Sequence, residues 1–490
     1  MSPLLILTVV VAYSLLLFAV VWLTSRNADN ESYFIGNKSS RWYIVAYGMI
    51  GASLSGVTFM SVPGAVYTTQ FSYMQVVIGY FIGYIVIAMV LMPLYYRMNL
   101  TSIYTYLESR FGPVSYKTGS FFFILSRTIG AAFRVYIVVN VLQTFIFDNW
   151  GIPFWVTVGM FMLLILIYTY KGGVKTIVWT DTLQTTFMLV TVIFSVVVIA
   201  GQLGLGIGNL IGEVMKSEYA TIINTDINSP NYFWKNFLGG AFIAIAMTGL
   251  DQEMMQKNLS CKNIGEAQKN MFTFSSVLMV VNFLFLLLGA VLVLYATKFG
   301  VSINATHTDD LFPDIALHHL GTATAVMFII GLISAAYPSA DGALTALTTS
   351  FCFDFLRLNK QDHLSTDQIK KTRQKVHIAF AIILLAVIVL FRVINNDAVI
   401  RNLFKAAGYT YGPLLGLFAF GVLTKRSIKD KWVPLVCLLS PAITYWISEM
   451  APLWLNGYKF GFELLIVNGI ITFKGLWLIS KAADPDTTFR

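Results

Sequence analysis

The sequence predicts an all-α polytopic membrane protein, and three observations carry that prediction. The first is composition. Of 490 residues, 57% are hydrophobic and only 12% are charged, whereas soluble domains carry about 25% charged residues. The second is length: apolar runs of the ~20 residues that a bilayer requires recur along the whole chain. The third is the placement of the remaining polar residues. Several sit inside apolar runs, beside glycine or proline, where hydrocarbon gives no reason to keep them.

The same composition excludes several classes. The net charge is +9, yet the Lys and Arg residues fall mostly in loops on one side and form no basic domain, so nucleic acid is not an expected partner. Cys261, Cys352 and Cys437 are far apart and form no CxxC pair, which argues against a disulfide framework or a thiolate metal site. No HExxH, membrane GxGD or GxSxG motif points to an enzyme. Aromatics at 15% fit interfacial belts and a ring-lined pocket.

Taken in order, runs near 4–24, 42–62, 72–96, 116–146, 153–170, 178–201, 234–256, 269–297, 322–354, 374–394, 401–423, 431–449 and 459–480 read as spans. That makes about thirteen, with ends placed to within ~4 residues. No small-residue cleavage site follows the first run, so it reads as a retained helix. The second run carries Gly51, Gly56 and Pro63 among Ser53, Ser55, Thr58 and Ser61. This composition suits an unwound, site-lining helix, with a small-residue helix contact as the plainer alternative. Five helices later, the 234–256 run carries Gly239, Gly240 and Gly249. Interrupted helices in corresponding positions of two halves point to inverted repeats and a transport site between them. On that pattern 42–201 and 234–423 are the repeats. Residues 1–41 form an extra helix and a cytoplasmic loop, and 202–233 an external loop. Residues 424–490 supply two more helices and a short tail.

Charges inside the spans mark the candidate site. Asp341 lies in mid-span with Pro338 and Gly342, and a charge at that depth costs at least about 2.5–3.5 kcal/mol. Pro338 has no N–H, so the carbonyl of Ser334 loses its helical donor. Ser334, Pro338, Asp341 and Thr345 share one helix face. With Ser339, they read as half of a cation site built from hard oxygen ligands. Asp181 is a second carboxylate, with a helix N-cap as its alternative role. Arg127 and Arg134 lie inside the 116–146 run. Buried charges pair, so partnership with Asp341 or Asp181 is the default and anion reception the alternative. Asp251, Gln252, Glu253, Gln256 and Lys257 end the 234–256 run, as a solvated end or an inner gate.

Loop charge sets the expected orientation. Arg26, Lys38, Arg41, Arg97, Arg110, Lys171, Lys175, Lys257, Lys262, Arg357, Lys360, Lys370, Lys371, Arg373, Lys425, Arg426 and Lys429 fall in alternate loops. The intervening loops are poor in Lys and Arg; 202–232 has only Lys216. The positive-inside rule then places the N-terminus outside and the C-terminus in the cytoplasm of a cell (inner) membrane protein.

Four stretches in order resemble the sodium:solute symporters, which include the sodium/glucose, sodium/proline and sodium/sialic acid cotransporters. They are Tyr33-Phe-Ile-Gly36, Leu54-Ser-Gly-Val-Thr-Phe-Met-Ser-Val-Pro63, Tyr168-Thr-Tyr-Lys-Gly-Gly173 with Val178-Trp-Thr-Asp-Thr-Leu-Gln184, and Gly412-Pro-Leu-Leu-Gly-Leu-Phe-Ala-Phe-Gly421 with Thr424-Lys-Arg426. The resemblance implies a LeuT-like core of two inverted five-helix repeats and Na+ as coupling ion. It maps sodium ligands to Gly51 and Leu54 and to Ala335, Pro338 and Ser339. Here the family usually has two adjacent hydroxyls where this chain has Pro338-Ser339, so Asp341 and the freed Ser334 carbonyl are expected to make up the loss. The family aspartate that supports a second sodium in some members maps to Asp181. Its usual hydroxyl partners map to Asp341 and Gly342, which argues against a separate second ion. Substrate contacts map to Ser55 and Thr58 and near Gln75 and Val77. The sialic acid carriers' carboxylate-binding arginine does not align. Gly130 falls there, with Arg127 one turn before and Arg134 one turn after, which tilts the expectation toward a neutral or sugar-like solute. Tyr337 is a candidate to stack on a sugar ring, though packing is the commoner role of such an aromatic.

The expectation is therefore a sodium-coupled symporter importing a sugar, sugar acid or amino acid by alternating access, as a monomer or weak homo-oligomer in a lipid bilayer. A proton-coupled transporter of the same fold and a transport-derived membrane sensor are the alternatives. Only about ten residues follow the last predicted helix, which leaves no room for a signalling domain.

Overall fold

In a computed structural model, residues 3–24, 40–100, 102–169, 174–361, 365–394 and 399–482 are described. The Tyr33–Gly36 motif and the Gly172-Gly173 turn lie outside them. The described chain is almost entirely helical. Its one sheet is an antiparallel pair, Ser427–Ile428 with Ser480–Lys481, which ties two chain-distant loops together. Among the described residues, eight helices are long and apolar enough to cross a membrane, or ten if each of two bent pairs counts as one span. Phe154–Ile167 and Leu464–Leu478 are shorter apolar helices.

Helix α1 (Pro3–Thr24) is followed by the first interrupted pair, α2 (Trp42–Ser53) and α3 (Gly56–Thr69). Next come α4 (Tyr73–Val86), continued by a π-turn into Met92–Arg97, then α5 (Pro113–Leu142), α6 (Phe154–Thr169) and α7 (Val174–Leu203). The second interrupted pair is α8 (Phe233–Ala244) and α9 (Gln252–Leu259), joined through a π-turn at Ile245–Gly249 and bent by 66°. After it run α10 (Ile264–Phe299), α11 (Thr322–Ser350) and α12 (Thr366–Ile394). The pair α13 (Val399–Thr410) and α14 (Gly412–Leu423) bends by 46°. Helices α15 (Val433–Trp454) and α16 (Leu464–Leu478) complete the fold.

Packing explains the glycines. Helix α8 lies along α4 so closely that a Cβ on Gly79 would strike the Phe237 carbonyl, and one on Gly240 the Val76 carbonyl. The Gly239-Gly240 pair is thus a close helix contact, with Gly239 seated against Phe462. The break in this run comes more than two turns later, at Gly249–Asp251. Helix α7 packs along α11 and against α2, where Gly51 meets Thr185 and Gly331 meets Thr191. Small residues let helix backbones approach in lipid, where no hydrophobic force holds helices together. Helix α11 runs unbroken through Pro338 and is wholly buried from Gly331 to Ser350. Helices α1 and α15 instead present Leu15, Trp22, Leu438 and Trp446 outward, as lipid-facing elements do.

Two loop readings change. The 202–233 stretch holds an amphipathic helix at Ile207–Lys216 that buries Leu210 and Val214. The loop before α11 is helical at Leu311–Asp314 and in the π-turn Ile315–His319, both packed into the core.

Candidate functional site

The site begins at the break between α2 and α3. Leu54 (φ −81°, ψ 117°) and Ser55 (φ −119°, ψ −179°) are extended. An interruption of this kind strips helical partners from the last carbonyls of α2 and the first N–H groups of α3. Ser55 makes no side-chain cap. The carbonyl end is partially negative and the N–H end partially positive, so one point in the fold offers places for a cation and for an anion. Gly56 holds the break against α5: a Cβ there would meet Val138 and the Arg134 carbonyl.

A cavity opens at this break, with about 70 Å³ reachable by the centre of a water molecule, room for several waters. Ala52, Ser53, Leu54, Ser55, Val57 and Thr58 form one wall. Tyr73, Tyr80 and Tyr84 of α4 form another, with the Tyr73 and Tyr80 hydroxyls 3.2 Å apart. Arg127 and Arg134 enter from α5, Thr248 from the π-turn after α8 and Asn282 from α10, while Ile400, Leu403 and Phe404 of α13 close it. The three tyrosines follow i, i+7, i+11 spacing on one helix face, and Asn282 is a lone amide in an apolar run. Both signals were present in the sequence without being singled out.

The two arginines differ in their partners. Arg127 pairs with Glu253 and lies 3.8 Å from Asp251. Among the described residues Arg134 makes no ion pair, and its Nε has no hydrogen-bond partner. Neither arginine is paired with Asp341 or Asp181, which corrects the default expectation.

The expected ion ligands divide into two groups. Gly51 and Leu54 lie on the carbonyl side of the break, and α11 packs behind α2 and α3 without lining the cavity. Ser339 and Asp341 are both 0% exposed, and among the described residues Ser339 Oγ has no hydrogen-bond partner. Asp341 Oδ1 accepts the N–H of Gly342 at 2.5 Å. Ala335 and Pro338 are buried on the same helix. Ser334 turns toward α1, donating from Oγ to the Tyr13 hydroxyl at 2.7 Å. Asp181 is drawn elsewhere, to Lys257.

The substrate candidates divide as well. Ser55, Thr58 and Arg134 line the cavity. Gln75, Val77 and Tyr337 do not. The Gln75 amide donates to the carbonyls of Ser72 and Asn231, pinning α4 to the loop before α8. Val77 is a buried core residue. Tyr337 packs on Tyr13 and Phe161, with its hydroxyl 3.0 Å from Ser14 Oγ. Its ring is committed to α1 and α6.

Behind the cavity lies a buried charge cluster. Helix α9 carries it: Asp251 caps the helix, accepting from the N–H groups of Glu253 and Met254 at 3.0 and 3.2 Å. The Tyr411 hydroxyl donates to the other Asp251 oxygen at 2.9 Å. Lys257 reaches Asp181 at 2.7 Å and Glu253 at 3.3 Å. Asp251, Gln252, Glu253, Gln256 and Lys257 are all at most 3% exposed. This rules out a solvated helix end and leaves a charged knot joining α9 to α5, α7 and the α13–α14 bend.

The wider likeness agrees with this architecture. The chain is 24% identical over 428 residues to a sodium/sialic acid symporter of Proteus mirabilis, covering 84% of this chain and 83% of that protein. It is 26% identical to the mouse sodium-coupled monocarboxylate transporter 1, over 80% of this chain and 64% of that one. Its fold matches the substrate-bound, outward-open structure of a Na+-coupled sialic acid symporter, with a TM-score of 0.81, 20% identity and coverage of 96% and 97% of the two chains. The sodium:solute symporter family model matches residues 33–430. That match spans the broken helix, the cavity walls and the charged knot, and the chain belongs to the sodium:solute symporter family.

Proposed function

We propose that the chain is a sodium-coupled secondary active symporter that carries a small organic solute across the membrane by alternating access. The observation that carries this reading is the cavity at the broken helix, with half-helix ends of opposite polarity meeting between α11 and the tyrosine wall of α4. Sodium binds on the carbonyl side, between Gly51 and Leu54 and the α11 segment of Ala335, Pro338 and Ser339. The solute binds in the cavity against Ser55, Thr58 and Arg134. Filling both ties α2 and α3 to their neighbours, and each ligand raises the other's affinity by the same factor.

Arg134 favours a solute with a carboxylate. Among the described residues it is a guanidinium without an ion pair, at a cavity whose one other cation, Arg127, is already paired with Glu253. The relatives are named for sialic acid and for monocarboxylates, and both carry that group. The reading therefore moves from a neutral solute to a small carboxylate or sugar acid.

In this proposal the two interrupted pairs α2–α3 and α8–α9 belong to two inverted five-helix repeats within about thirteen spans. The loop charges support an outside N-terminus and a cytoplasmic C-terminus. The protein sits in the cell membrane as a monomer or weak homo-oligomer. Proton coupling is the second reading, favoured by the fully buried Asp341 in mid-span.

The test is uptake into proteoliposomes of labelled sialic acid, a short monocarboxylate and a neutral hexose. Uptake that stops when potassium replaces sodium supports the proposal. Uptake driven equally well by a proton gradient without sodium overturns sodium coupling. Melting temperatures in sodium and potassium chloride, for wild type, Ser339→Ala and Asp341→Asn, locate the ion: a sodium-specific rise that survives both changes sinks the α11 site.

A further inference from the structure

Lys257 is a buried cation held between two buried carboxylates. Its Nζ lies 2.7 Å from Asp181 Oδ2 and 3.3 Å from Glu253 Oε1, and neither the lysine nor the two carboxylates exceeds 3% exposure. The oxygens come from two elements, α7 and α9. A third carboxylate is close by: Gly342, next to Asp341, packs so tightly on Glu253 that a Cβ would collide with its carboxylate. The oxygen set is larger than the ammonium uses. Among the described residues Asp181 Oδ1 has no hydrogen-bond partner, and one turn along α7 both amide atoms of Gln184 have none. Paired carboxylate oxygens suit a hard cation, and here the cation is supplied by the chain itself.

Charge balance shows what the ammonium does. Without Lys257, Asp181 would lose its ion pair and Glu253 would retain only Arg127, itself shared with Asp251. A carboxylate stranded in a buried site must take up a proton or an ion.

We propose that Lys257 is a tethered cation that takes the place of a second coupling ion between Asp181 and Glu253. The wild-type chain then binds a single sodium, and removal of the ammonium opens a further cation site at Asp181. The proposal rests on the symport reading for that first sodium, but the Asp181 site is tested separately from it. It also assigns Asp181 a role distinct from the α11 ion site, since its cation never leaves.

The experiment compares wild type, Lys257→Met and the double variant Asp181→Asn/Lys257→Met as purified full-length protein. Melting temperature is recorded against sodium chloride, with choline chloride holding ionic strength constant. A ligand that binds only the folded state stabilises it in proportion to the logarithm of its concentration, once per ion bound. The Lys257→Met protein should show about twice the wild-type rise per tenfold step in sodium. The double variant, with no Asp181 charge to neutralise, should return to the wild-type slope. An unchanged slope in Lys257→Met overturns the tethered-cation proposal and leaves symport standing. No sodium response in wild type overturns the symport reading instead; the tethered cation then stands or falls on whether Lys257→Met acquires a response. Should Lys257→Met not fold, equilibrium binding of radioactive sodium to wild type decides: about one ion per chain supports the proposal, and two overturn it.

Discussion

Arg134→Gln offers a direct measure of what the cavity recognises. In the structure the guanidinium borders a cavity beside Ser55, Thr58 and the tyrosines of α4, and among the described residues no carboxylate forms an ion pair with it. A bound solute carboxylate would supply the missing partner. A hydrogen bond to a charged group contributes about 1.5–3 kcal/mol, and each 1.4 kcal/mol is tenfold in affinity. Arg134→Gln should therefore raise the KM for a carboxylate solute by roughly 10- to 150-fold. Arg134→Lys should fall between, because it keeps the charge but loses the planar fork that holds a carboxylate by two bonds. The assay is sodium-driven uptake of a carboxylate solute and its neutral amide, measured side by side. The substitution should affect the acid and spare the amide. An equal effect on both solutes, or none on the acid, would refute the assignment of Arg134 as the anion receptor.

Three further outcomes follow from the packing. Asp251→Asn keeps an acceptor at the α9 N-cap, while Asp251→Ala loses it; the alanine should melt lower, by the ~1 kcal/mol that such a cap contributes, and equal melting would show that the cap is idle. Tyr337→Phe removes the hydroxyl that lies 3.0 Å from Ser14 Oγ, away from the cavity, so uptake KM should not change while stability falls by about 0.5–1.5 kcal/mol; a raised KM would return Tyr337 to the solute site. Gly240→Ala forces a methyl against the Val76 backbone and should cost about 1–3 kcal/mol, read as a lower melting temperature, and a neutral result would mean that α4 and α8 can separate freely.

The order of apolar runs was legible in the sequence because each span must satisfy its own backbone and present an apolar surface to lipid. The helix break at Leu54–Ser55 was also legible, from hydroxyls and glycines in a run that should have been uniformly apolar. So was the placing of Asp341, Asp181, Arg127 and Arg134 within helices of the core, since charges in a span announce themselves by their cost. The sequence likewise marked 234–256 as interrupted, and of its three glycines only Gly249 lies at the bend, Gly249–Asp251, while Gly239 and Gly240 serve contact with Phe462 and α4.

Only the tertiary structure decided how those charges are matched. Helix α9 turns its polar residues inward, so Glu253 takes Arg127 and Lys257 takes Asp181, leaving Arg134 beside the cavity. Spacing along one helix cannot reveal this, because each pair joins residues more than seventy positions apart on different elements. The same holds for Tyr337 and Ser334, whose partners Ser14 and Tyr13 come from the first helix. By itself the sequence determined that this is a helical membrane protein with a break and buried charges, since those follow from transfer energies along the chain. Which charge is neutralised within the protein and which is left for a ligand depends on distances between helices, and those exist only once the helices have packed.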